Sequence, residues 1–147
     1  DGEELVYVDA RDPYFLGSTW FAEQYVRNPP NHKYRWGVVL DMVGDRSLQI
    51  YQEKYSVAWP DTRPLVKEIW ATAGRLGVEE FIPRAGYAVR DDHLPLRNIA
   101  KIPTCDIIDG PGTYPAWHTT MDTPRLCSPA SLGKVGWVVF EWLKGQR

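Results

Sequence analysis

The stretch Tyr34-Arg35-Trp36-Gly37-Val38-Val39-Leu40-Asp41 sets the fold class. Val38, Val39 and Leu40 form a continuous apolar run, the character of a strand buried on both faces of a parallel sheet. The run predicts a strand over residues 34–40. Asp41 then falls at its carboxyl end, with Gly44 close behind to release the chain. In open α/β sheets, ligands collect at the carboxyl ends of strands. An Asp at a strand end also serves well as a turn or cap residue, so position alone does not assign it.

Downstream, residues 47–51 predict a second short strand. Asp61 or Thr62 opens a helix, with Pro64 in its first turn and Gly77 just past its end. Leu65, Val66, Ile69, Trp70, Ala73 and Leu76 recur there at helical spacing, which puts Trp70 in the core. Residues 95–100 predict a short helix and residues 102–108 another buried strand, followed by the loop Gly110-Pro111-Gly112. Ser128 before Pro129 starts a last helix that ends at Gly145 and buries Leu132, Val135, Val139 and Trp142. Upstream, Ser18 or Thr19 caps a helix to Arg27, stopped by Asn28-Pro29-Pro30. Phe21, Ala22 and Tyr25 form its inner stripe. Leu5 to Val8 reads as a strand end or a loop start, and residues 9–16 as loop. Strands alternating with helices define an α/β layered domain with a largely parallel sheet.

A chain of 147 residues suits one domain with a substantial core. Its net charge of -2 implies no basic face for nucleic acid. No apolar run approaches the length of a membrane span. Seven Trp and eight Tyr suit either a broad core or an aromatic-lined pocket. Cys105 and Cys127 match no zinc-finger spacing and read as free, buried thiols. The chain starts at Asp1 without Met or a visible signal peptide, which reads as a fragment or a processed chain.

Asp1-Gly2-Glu3-Glu4 carries the most chemistry. Asp41, the triplet Asp91-Asp92-His93 and the pair Trp117-His118 are the places that could meet it. One carboxylate to hold a cation, a second to move a proton and a histidine ligand make a metal-hydrolase set. Taken alone, Glu3 and Glu4 read as a solvated surface turn, as most Glu-Glu pairs do. His32 lies in a polar loop and reads as exposed, and His93 beside two Asp is a ligand candidate. A ligating His usually donates its other ring N–H to an acceptor, and Asp122 is a candidate acceptor for His118.

Asp1-Gly2-Glu3-Glu4, Tyr14-Phe15-Leu16-Gly17-Ser18, Leu40-Asp41-Met42-Val43-Gly44, Asp91-Asp92-His93-Leu94-Pro95 and Trp117-His118-Thr119 with Asp122-Thr123 follow one another in this order. Together they resemble the zinc peptidase M28 family of aminopeptidases and animal-type glutaminyl cyclases. The resemblance implies a three-layer αβα sandwich around a mixed, mostly parallel sheet, here lacking its N-terminal strands. It implies one or two zinc ions, a peptide substrate and a secreted or periplasmic setting. By resemblance Glu3 is the general acid/base, Glu4 and His118 are zinc ligands, and Trp117 lines the substrate pocket. Asp41 matches the acid that binds a second metal in two-zinc aminopeptidases, or joins a hydrogen-bond relay in the cyclases. Asp92 matches a further member of that relay.

The sequence departs from the family pattern twice. The family's earlier histidine and bridging aspartate precede its Asp-Gly-Glu motif, and the cyclases carry a pocket tryptophan shortly after the Glu pair, where this chain reads Val8-Asp9-Ala10. The sequence therefore predicts an aminopeptidase-like zinc hydrolase first, a glutaminyl cyclase second and a non-catalytic binding domain third.

Overall fold

The computed structural model describes residues 14–110 and 112–146. The expectations for Glu3, Glu4 and residues 5–13 lie outside these. Two compact units divide the chain, one of Asp1–Val39 with Arg90–Thr104, the other of Leu40–Val89 with Cys105–Arg147.

In the first unit, α1 (Leu16–Arg27) packs on α4 (His93–Asn98). Ala22, Ala100 and Ile102 form its buried cluster, flanked by Tyr25 and Ile99. Helix α1 starts before the expected Ser18 or Thr19 cap: Phe15 precedes it in a left-handed conformation, with no side-chain cap. Ser18 is instead drawn to Asp92, because its hydroxyl lies inside the first turn and faces α4. Of the expected inner stripe only Ala22 is buried, and Phe21 is exposed. Tyr34 does not join the strand. Its ring packs 5.8 Å from Phe21 and 5.4 Å from Tyr25, so strand β1 spans only Gly37–Asp41. Its burial is partial rather than complete, with Leu40 exposed.

β1 hydrogen-bonds to β4 (Thr104–Ile108), all five residues of which are buried. In the second unit, β2 (Ile50–Gln52) runs parallel to β3 (Phe81–Ala85). Ile50 pairs with Phe81 and Tyr51 with Ile82, but Gln52 pairs with Ala85. The register therefore skips Pro83 and Arg84. Pro83 has no N–H to give the ladder, and a bulge accommodates it. An internal proline also hides the strand from sequence reading.

α2 (Lys54–Ala58) was not signalled by the sequence because its cap is Glu53, an unusual choice. α3 (Arg63–Leu76) follows its apolar repeat, burying Leu65, Val66, Ile69, Trp70 and Ala73, and ends at left-handed Gly77. Trp70 is core, and its indole N–H donates to the Ile82 carbonyl at 3.0 Å. α5 (Pro129–Lys144) packs on α3. The Ser128 hydroxyl caps it by accepting from the Ser131 N–H. It buries Ser131, Val135, Val138 and Trp142, spaced four, three and four residues apart. Leu132 and Val139 lie to either side of that stripe, so Leu132 is exposed and Val139 half-buried. Cys105 is free and buried, whereas Cys127 is free and exposed. Among the described residues no helix is long and apolar enough to cross a membrane.

Candidate functional site

Asp41 ends β1 and is half-buried. The loop after it turns on Met42, left-handed at φ 50. A hydrogen bond of 2.7 Å from the Ser128 N–H to the Gly44 carbonyl and a bridge between Asp45 and Cys127 tie that loop down. Asp41 therefore stands on a strand end whose exit is fixed at two points.

His118 sits at the crest of a tight loop in the same unit, left-handed at φ 55. Such a conformation is uncommon for a residue with a Cβ and persists only where the surroundings impose it. The Trp117 N–H bonds the Tyr114 carbonyl, and the Thr119 N–H bonds that of Ala116. The Thr119 hydroxyl donates to the Ala116 carbonyl at 2.7 Å. The Tyr114 hydroxyl closes the loop by donating to Asp122 Oδ1 at 2.5 Å. That bond pushes the Tyr114 phenol up to about 12, since the neighbouring carboxylate favours the protonated form. Asp122, the expected acceptor for His118, thus holds Tyr114. The His118 ring is exposed and stacks on Trp117, with centroids 4.1 Å apart. Its nitrogens make no hydrogen bond among the described residues, and Trp117 is itself 43% exposed.

In the first unit, the Ser18 hydroxyl donates to Asp92 Oδ1 at 2.6 Å. The Asp92 N–H donates to Asp91 Oδ1 at 2.6 Å. Asp91 and His93 are buried, and Asp92 is half-buried at the start of α4. His93 is fully enclosed. His32 is exposed, as expected, and packs edge-on against Tyr34.

Within the second unit the structure thus contains Asp41, Trp117, His118 and Asp122, and within the first Asp92 with Ser18. Among the described residues no three His, Cys, Asp or Glu side chains gather to hold a metal ion. The donors nevertheless suit zinc: carboxylate from Asp41 and free imidazole nitrogens from His118. Tyr114 and Ser18 are the polar partners that sequence reading did not assign. A tyrosine eight residues from an aspartate carries no signal of a hydrogen bond across a loop.

Alternating strands and helices with parallel pairing define an α/β fold, and the solved structures it resembles include zinc-exopeptidase folds. The sequence profile of Peptidase family M28 matches residues 1–143, and the chain belongs to that family. A search of the curated proteins found no significant match. Among solved structures, the chain is similar to the glutaminyl cyclase of Porphyromonas gingivalis, at 32% identity and a TM-score of 0.79, covering 90% of this chain and 49% of that one. It is similar to a leucine aminopeptidase precursor from Bacteroides thetaiotaomicron, at 34% identity and a TM-score of 0.76, covering 86% of this chain and 42% of that one. It is also similar to a Zn-dependent exopeptidase from Parabacteroides distasonis, at 32% identity and a TM-score of 0.80, covering 94% of this chain and 48% of that one. The chain spans about half the length of these structures.

Proposed function

We propose that the protein is a zinc-dependent enzyme acting on the N-terminus of peptides, and that its reaction is cyclisation of an N-terminal glutamine. The observation that carries this reading is the Ser18–Asp92 hydrogen bond. It gives the Asp92 carboxylate a hydroxyl donor, at a position that the M28 resemblance assigns to a hydrogen-bond relay in the cyclases. Likeness to the Porphyromonas glutaminyl cyclase supports it. Removal of N-terminal residues by hydrolysis is the second reading, supported by likeness to the leucine aminopeptidase precursor.

Zinc would be held by Glu4 and His118, with Asp41 as a second-metal ligand or relay member, and it would polarise the substrate carbonyl. Glu3 carries the proton. In cyclisation it takes the proton from the substrate's own amine and delivers it to the departing ammonia. In hydrolysis it takes the proton from water and delivers it to the leaving amine. Trp117 offers an aromatic face beside His118 for the substrate side chain.

The test uses the full-length protein. We expect Gln-initiated peptides to release ammonia with the peptide bond intact. Free amino acid from aminoacyl nitroanilides, without ammonia release, would favour the second reading. Glu3→Gln should lower turnover by ~10²–10⁴-fold with metal content unchanged, whereas Glu4→Gln should lower metal content. Loss of metal on Glu3→Gln would reverse the two roles.

A further inference from the structure

The bulge in β3 has a chemical outcome at Arg84. Its guanidinium carbon lies 5.5 Å from the centroid of the Tyr51 ring on the paired strand. Stacking on an aromatic face holds the planar guanidinium and leaves its N–H edge available. Arg84 makes no hydrogen bond or ion pair with any described residue. It borders an open cleft of about 460 Å³ with Tyr51, Gly86, Tyr87 and Gly112. The Tyr87 side chain is 60% exposed, and its hydroxyl makes no hydrogen bond among the described residues.

Both glycines are required where they stand. A Cβ at Gly86 would come within 2.6 Å of the Tyr51 Cβ, and Gly112 has φ 105. Gly86 thus lets its backbone pack closely on Tyr51, and Gly112 takes a left-handed conformation that a side chain rarely adopts. The cleft's lining offers a cation and a phenolic donor and, among the described residues, no carboxylate.

We propose that this cleft binds a carboxylate carried by a peptide. A guanidinium presents two parallel N–H groups that match the two oxygens of a carboxylate. One guanidinium balances one negative charge, and among the described residues no second cation borders the cleft to meet a phosphate dianion. Tyr87 would donate to the same group, and the Tyr51 ring would shield one face from water. The peptide origin of the carboxylate rests on the function proposed above. It comes either from the peptide's C-terminus or from an acidic side chain.

The test measures equilibrium binding to the full-length protein by calorimetry, with N-blocked peptides that N-terminal chemistry cannot consume. The probes are N-acetyl-alanyl-alanine, its C-terminal amide, and N-acetyl-aspartyl-alanine amide. We expect one carboxylate peptide or both to bind about tenfold more tightly than the uncharged amide, the difference that a charge-assisted pair typically makes. The tighter of the two identifies the source. Arg84→Gln should abolish the preference and leave the thermal midpoint unchanged, and Tyr87→Phe should reduce it. Equal affinity for all three peptides, no measurable binding included, would overturn the proposal. So would a preference that survives Arg84→Gln. If the full-length protein turned over neither Gln-peptides nor aminoacyl nitroanilides, the proposed function would fail while the binding comparison still decided the cleft.

Discussion

Glu53 shows how one side chain organises a neighbourhood. It is buried, and its carboxylate accepts from the Tyr55 N–H at 2.8 Å, the Ser56 N–H at 2.7 Å and the Ser56 hydroxyl at 2.8 Å. It also accepts from the Val89 N–H at 3.1 Å, joining the start of α2 to a chain segment 36 residues away. Glu53→Ala would strand these donors away from water. An unsatisfied buried donor costs about 1–3 kcal/mol and a lost cap about 1 kcal/mol, so we expect a loss of about 2–4 kcal/mol in urea denaturation. A loss below about 1 kcal/mol would mean that water reaches the vacated space. None of this is written in the sequence, which carries no signal at Glu53. The motif residues could be picked out individually because they follow one another in a fixed order. Their partners, Ser18 for Asp92 and Tyr114 for Asp122, come from chain segments that only folding brings together.

At the scale of elements, α3 was the most readable part of the chain. Its apolar positions recur at helical spacing, Pro64 stands at its start and Gly77 at its end. The structure returns the helix as Arg63–Leu76. Ile69 is fully buried on its inner face. Because α3 packs on α2, α5 and β3, Ile69→Ala should cost about 2–5 kcal/mol, measured as a fall in the denaturation midpoint with an unchanged slope. Trimming Leu132 on the exposed side of α5 should cost far less. Val135→Ala on the buried side of the same helix should cost clearly more than trimming Leu132, and that contrast checks the four-three-four spacing of the buried positions in α5. Strand β3 was illegible for the opposite reason: Pro83 breaks the ladder pattern, and only pairing with β2 makes the segment a strand.

For the whole molecule, burial of charge sets a dependence on acidity. Asp109 follows β4 and is buried, accepting a hydrogen bond of 3.4 Å from the Gln49 N–H. Burial pushes its carboxyl above the usual carboxylate range; bonding by Thr113 and Gln49 offsets this in part, and nearby Asp45 adds to it. The folded state therefore holds the Asp109 proton more tightly than the unfolded chain does. Its contribution to stability is complete below the ordinary carboxylate range and is lost as pH rises through the raised value. Asp109→Asn should accordingly raise the thermal midpoint at neutral pH, with the advantage shrinking as pH falls through the raised value toward about 4 and gone below it. A constant difference across that range would show that Asp109 is not the group responsible. The α/β class and the family were legible from the order of motifs and the alternation of elements. The arrangement around His118 was not, because its left-handed backbone follows from bonds across a loop rather than from local preference.

The two cysteines stand at opposite extremes of access. Burial pushes the Cys105 thiol far above the ordinary range and withholds it from reagents, while Cys127 lies open. Labelling of Cys127 records the passage of reagent, and labelling of Cys105 waits for β4 to open. The ratio of the two rates is a clock for the breathing of the sheet, internally calibrated and built from residues the protein already has.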